Sequence, residues 1–189
     1  MITNPTISSI TDPQGIDFVL SEFQDKLEAA LSWLTKAYGK SYRLVRELND
    51  NDFSYPGVIT SGKEYLSMLP DSHLGNYCFF TLDDETFTDY TKGAFNQIER
   101  DFSLIFFFDL RDIYPSWETR TIEHVKAEIL TALRSMSITS GQFRLSNVYE
   151  RAEDVFEGFT VQEVRNQFLM RPYGALRFEG TIYYKQKCT

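Results

Sequence analysis

Cysteine and histidine are scarce in this chain, and each scarcity removes a class of chemistry. The two cysteines, Cys78 and Cys188, are too few for a four-cysteine metal site or a disulfide framework. The two histidines, His73 and His124, leave little material for a histidine-based base or metal site. No serine or cysteine stands in a G-x-S-x-G setting, so a nucleophile elbow is not expected. Long hydrophobic runs are missing too. The longest, within "FSLIFFFDLR" (102–111), falls far short of the ~20 residues that cross a bilayer. The opening "MITNPTISSITDPQG" lacks a basic segment followed by an apolar core, so no secretory signal is expected. Positive charge is in deficit: 19 Lys and Arg face 27 Asp and Glu, for a formal charge of −8. That balance argues against specific or general nucleic-acid binding, which needs a basic surface to displace counterions. No internal repeat or low-complexity tract is present.

What the chain has is enough apolar material for a core. At 42% hydrophobic and 15% aromatic over 189 residues, one domain is expected over 16–189, preceded by an extended arm at 1–15. Ile16, Val19, Leu20, Phe23, Leu27, Leu31, Leu34 and Tyr38 recur three or four apart, which predicts a helix over 16–38 closed by Gly39. Ile122, Val125, Ile129, Leu133 and Met136 make a second stripe. Thr121 stands at its start, which predicts a helix over 121–136.

Strands are expected at 41–48, 77–82, 101–111, 142–150 and 174–187. The first alternates, Tyr42 and Leu44 against Arg43, Val45 and Glu47. Residues 102–108 do not alternate, as expected of a central strand covered on both faces. Residues 49–76 read as a long loop holding a short strand at 56–60 and a helical turn at 63–68. Residues 83–100 read as a polar excursion, and the Thr-x-x-Glu pattern at 160 suggests a short helix over 160–167. Together these give an α+β domain: a mainly antiparallel or mixed sheet with two long helices packed on one face.

Three stretches invite a chemical reading. Asp109, Asp112 and Glu118 follow the central strand, and converging carboxylates suit a hard divalent cation. A metal-dependent hydrolase or nuclease is therefore the rival functional class, although acidic side chains at a strand end also stay in water beside a partner such as Arg111. "GVITSGKE" (57–64) has P-loop spacing, but Glu64 replaces the hydroxyl residue the motif needs. Phe53, Tyr55, Tyr65 and Met68 lie in the 49–76 segment, and such side chains either anchor protein interfaces or fold back over a sheet edge. No cofactor is implied.

The order of elements, with "FSLIFFFDLR", the helix after it and "FLMRPYGALRFEGTIYY", resembles the small tail-terminator and tail-completion proteins of long-tailed bacteriophages, and a prophage-type family of bacterial genomes. The likeness in layout covers residues 16–187. It implies a structural protein without catalytic residues, which assembles with itself as a ring and meets tail-tube or head-connector proteins. It also implies a place in the host cytoplasm and the virion, with no membrane partner.

Overall fold

The computed structural model describes residues 12–48, 51–71, 73–89, 95–116, 121–161, 164 and 166–187. The chain runs α1 (Ile16–Ala30), β1 (Lys36–Lys40), β2 (Tyr42–Leu48), β3 (Asn51–Ile59), β4 (Tyr65–Ser67), β5 (Tyr77–Asp89) and β6 (Phe95–Asp109). It continues α2 (Leu110–Ile113), α3 (Ile122–Ser135), β7 (Gly141–Tyr149), α4 (Ala152–Val155), a 3₁₀ helix (Asn166–Leu169) and β8 (Tyr173–Lys187). Two sheets form. One is five-stranded and mixed, in the order β1-β5-β6-β8-β7, with β1 parallel to β5. The other is three-stranded and antiparallel, in the order β2-β3-β4. The fold is α+β.

β6 is the middle strand, and its unbroken apolar run is split by the pleat between two cores. Leu104, Phe106 and Phe108 face α1 and α3, where they meet Val19, Phe23, Leu27, Val125, Ile129 and Leu133. Ile105 and Phe107 face the other way and join Tyr38, Val58, Met68, Tyr77, Phe79 and Phe156. Period-two alternation with apolar residues on both sides is what a doubly covered strand requires. α3 starts where the sequence predicts, with the Thr121 hydroxyl accepting the His124 N–H. α1 and α3 share one face of the large sheet, and the small sheet, α4 and the 3₁₀ segment cover the other.

Four expectations are corrected. The first helix ends at Ala30, not Tyr38. Leu31, Leu34 and Tyr38 are buried at helical spacing, but β1 replaces the last turns as an added parallel strand. Side chains of α1 satisfy its backbone there: Gln24 donates to the Ala37 carbonyl at 2.8 Å and Glu28 accepts the Ala37 N–H at 2.9 Å. Residues 49–76 are not a loop but carry β3 and β4, with strand rather than helical geometry at Tyr65–Ser67. Within the expected 83–100 excursion, residues 83–89 continue β5 and residues 95–100 begin β6, and the two strands pair. Its polar residues concealed the pairing because they bond across it: Arg100 donates to Glu85 at 2.9 Å, and Tyr184 donates to the same carboxylate at 2.7 Å. The helix expected at 160–167 lies partly outside the described residues. Thr160 is tied to β3, accepting from the Ser54 N–H at 3.1 Å. The arm expected at 1–15 lies outside them as far as Thr11.

One further tie fixes α1 to the turn before β7. Glu22 accepts from the backbone N–H and hydroxyl groups of both Thr139 and Ser140 at 2.7–3.1 Å. Partial burial pushes this carboxyl up, but those donors outweigh it and hold it at about 2.

Candidate interface

The small sheet has two unlike faces, and register assigns each side chain to one of them. Directly paired residues of an antiparallel ladder share a face. Val58 pairs with Leu66, and both face the core between the sheets. The opposite parity therefore points away from it: Tyr42 opposite Gly57, Leu44 opposite Tyr55, Arg46 opposite Phe53, and Ile59 opposite Tyr65. This outer face is mainly apolar, with Arg46 and Ser67 as its polar members. Tyr42 and Tyr65 are 41% and 53% exposed, and their rings meet edge-on at 6.1 Å. Lys40 lies over the Tyr42 ring at 5.4 Å. Leu44, Phe53, Tyr55 and Ile59, on the same face, are half-buried. Leu44 covers Gly57 so closely that a β-carbon there collides with Leu44 Cδ1. No acidic side chain is placed on this face by the register, although the chain as a whole carries −8.

Three of the four sequence-predicted interface residues, Phe53, Tyr55 and Tyr65, come together here. The fourth does not. Met68 is fully buried on the inner side, where Tyr77 donates its hydroxyl to the Met68 and Leu69 carbonyls at 3.1 Å each. Its aromatic-rich surroundings gave the same signal as the others, and only its position just past β4 turns it inward. Tyr42, Leu44 and Ile59 are members the sequence reasoning missed. The alternation of Tyr42 and Leu44 was visible, but their partner β3 was hidden inside an expected loop.

The acidic trio separates. Asp109 caps α2, accepting the Arg111 N–H at 2.9 Å, and its two carboxylate oxygens hold the Arg111 Nε at 3.0 and 3.1 Å. That guanidinium, its pKa raised chiefly by the Asp109 hydrogen bond, also lies 5.4 Å over Tyr173 and donates to its hydroxyl at 3.1 Å. Asp112 is exposed, and Glu118 lies outside the described residues. Among the described residues no group of three His, Cys, Asp or Glu side chains is placed to hold a metal ion. Glu128 is spent in the same manner as Asp109, accepting from Trp33 Nε1 at 2.9 Å and from the Tyr114 hydroxyl. These carboxylates act as struts, each joining separate elements through fixed donors.

Cys78 is fully buried on the helix-facing side, and burial pushes its thiol well up, while His73 is exposed beside Asp71. "GVITSGKE" forms the end of β3 and the turn into β4, closed by Lys63 N–H donating to Thr60 O at 2.9 Å. Lys63 takes φ 64° in that turn, so the spacing marks a hairpin and not a strand-to-helix phosphate loop. Among the described residues no helix is long and apolar enough to cross a membrane. In comparison with known proteins, no protein-family model and no curated protein sequence matches the chain.

Proposed function

We propose that this chain is a structural assembly protein of phage or prophage tails, of the tail-completion and tail-terminator kind. It works by contact with copies of itself and with tail-tube or head-connector proteins. The observation that carries the assembly reading is the outer face of the small sheet. Six apolar side chains, three of them tyrosines, sit there away from both cores. Tyrosine-rich patches supply rigid contact area and dominate many interfaces. The tail-completion part of the reading is supported by the resemblance in element order. The Arg111 clamp on Asp109 further favours this reading over a metal-dependent hydrolase or nuclease.

The test is the double variant Tyr55→Ala/Tyr65→Ala, followed by light scattering at high protein concentration beside thermal melting. The expected outcome is loss of association with a melting point close to the parent's. A variant that still associates removes this face from the interface. Tight Mg²⁺ or Mn²⁺ binding abolished by Asp109→Asn would turn the reading toward the enzyme class.

A further inference from the structure

The outer face of the small sheet carries cations without carboxylates. Lys40 lies over the Tyr42 ring at 5.4 Å, Arg46 stands opposite Phe53, and the register places no acidic side chain among them. The chain as a whole carries −8, so the surface outside this face is more acidic still. Two copies meeting through this same face would set cation against cation, which disfavours that pairing. The face calls instead for an apolar contact flanked by carboxylates.

α1 presents such a surface. Its buried stripe is Ile16, Val19, Leu20, Phe23 and Leu27. At about 3.6 residues per turn, the opposite side holds Phe18, Ser21, Asp25 and Ala29, with Asp17 and Glu28 at its margins. Phe18 is 49% exposed, Asp25 is exposed and Asp17 half-buried. Glu28 is held by Lys36 at 2.8 Å. The one basic residue of the helix, Lys26, flanks the buried stripe and lies 3.6 Å from Glu22. A lone exposed phenylalanine is ordinary on a surface. This one shares its side of the helix with Asp17 and Asp25, and so matches the tyrosines, Lys40 and Arg46 in both apolar character and charge.

The two patches lie on opposite sides of the molecule. α1 packs on one face of the five-stranded sheet and the small sheet on the other, so the large sheet stands between them within one chain. Their contact therefore forms between copies, each giving one patch and accepting the other.

We propose that the outer face of the small sheet of one copy seats the Phe18 side of α1 of a second copy, with Lys40 and Arg46 meeting Asp17 and Asp25. The inference rests on the self-assembly reading above and names the surface that the tyrosine face meets. The test uses two variants, each checked by thermal melting. Tyr55→Ala/Tyr65→Ala removes the sheet patch, and Phe18→Ala/Asp25→Lys removes the helix patch. Alanine and lysine are good helix formers at these exposed positions, so the helix is kept. Association is read by light scattering. Each variant alone is expected to associate more weakly than the parent by roughly tenfold or more. An equimolar mixture is expected to form a heterodimer at about the parent's affinity and nothing larger, because it retains one intact pair of patches. A mixture that stays monomeric, with association lost in the sheet variant, overturns this inference and leaves the assembly reading standing. A helix variant that associates as the parent does overturns it likewise. A parent that stays monomeric at high concentration, or a sheet variant that still associates, removes both. Asp25→Lys alone isolates the charge match. It is expected to weaken association at low salt, by a margin that narrows as salt rises. Association unchanged in that variant overturns the proposed contact.

Discussion

The two sheets use similar residues for opposite ends. In the large sheet Phe102–Phe108 is buried on every side, because helices lie on one face and the small sheet on the other. In the small sheet Phe53, Tyr55 and Tyr65 are aromatic too, yet a core covers only the Val58 side, and there only around Val58 and Leu66, for Val45 on that side is 61% exposed. Hydrophobicity alone does not decide burial; the number of layers stacked over a strand does. The first sheet gains stability from its aromatics, and the second holds its aromatics at the surface.

The difference can be broken at its strong end first. Phe106 is fully buried, in a tilted ring contact with Trp33 at 6.3 Å and edge-on to Phe178 at 5.8 Å. Phe106→Ala leaves a cavity in a close-packed layer and is expected to cost about 3–5 kcal/mol. Denaturant unfolding measures it, and a loss under about 1 kcal/mol would show that the layer is not packed as described.

Met68→Ala against Tyr65→Ala sharpens the contrast within three residues of sequence. Met68 is fully buried between the sheets, and its removal is expected to cost about 2–5 kcal/mol. Tyr65 is 53% exposed, so its loss should cost under about 1 kcal/mol. Equal costs would mean that the small sheet has no solvent face.

The tie between α1 and the turn before β7 is smaller and depends on pH. Glu22 sits at about 2 when folded, against an ordinary 4.5. A carboxyl depressed in the folded state contributes stability that is fully present above its unfolded value and lost as pH falls through the folded one. The contribution therefore fades between about pH 4.5 and 2. Glu22→Gln should lower stability by about 1–3 kcal/mol at neutral pH. The gap to the parent should close on acidification through that window, as read by melts at a series of pH values. A gap that stays constant would mean that shape, and not charge, holds the turn.

How much of this was legible follows from the same layering. Phe102–Phe108 announced a doubly covered strand because nothing polar interrupts it, and the stripes of α1 and α3 announced the layer above. The end of α1 was not legible. Leu31, Leu34 and Tyr38 keep helical spacing while the chain has already turned, and the evidence for β1 lies in Gln24 and Glu28, distant in sequence from its pairing with β5. β3 was hidden by Pro56 and Gly57 in its middle, where the register faces Arg43 and Tyr42. The candidate interface was half legible for that reason. Its aromatics stand out in the sequence, but which of them share a face is a property of the β2–β3–β4 register.

The smallest expected effect on stability tests that register directly. Tyr42 and Tyr65 are 23 residues apart in sequence and meet edge-on only if β2, β3 and β4 pair as described. Edge-to-face aromatic pairs contribute about 0.5–1.5 kcal/mol beyond their buried area, and exposure places this one at the lower end. A double-mutant cycle of Tyr42→Ala, Tyr65→Ala and both together should give a coupling near 0.5 kcal/mol. Each single variant should also weaken association measured by light scattering, because both rings belong to the same outer face. Zero coupling with association lost in only one variant would separate the two tyrosines and leave the face in pieces. Coupling present with association intact in all three would keep the sheet and take the interface elsewhere. The pairing and the contact role are thus tested by two readouts of the same three proteins, and each can fail without the other.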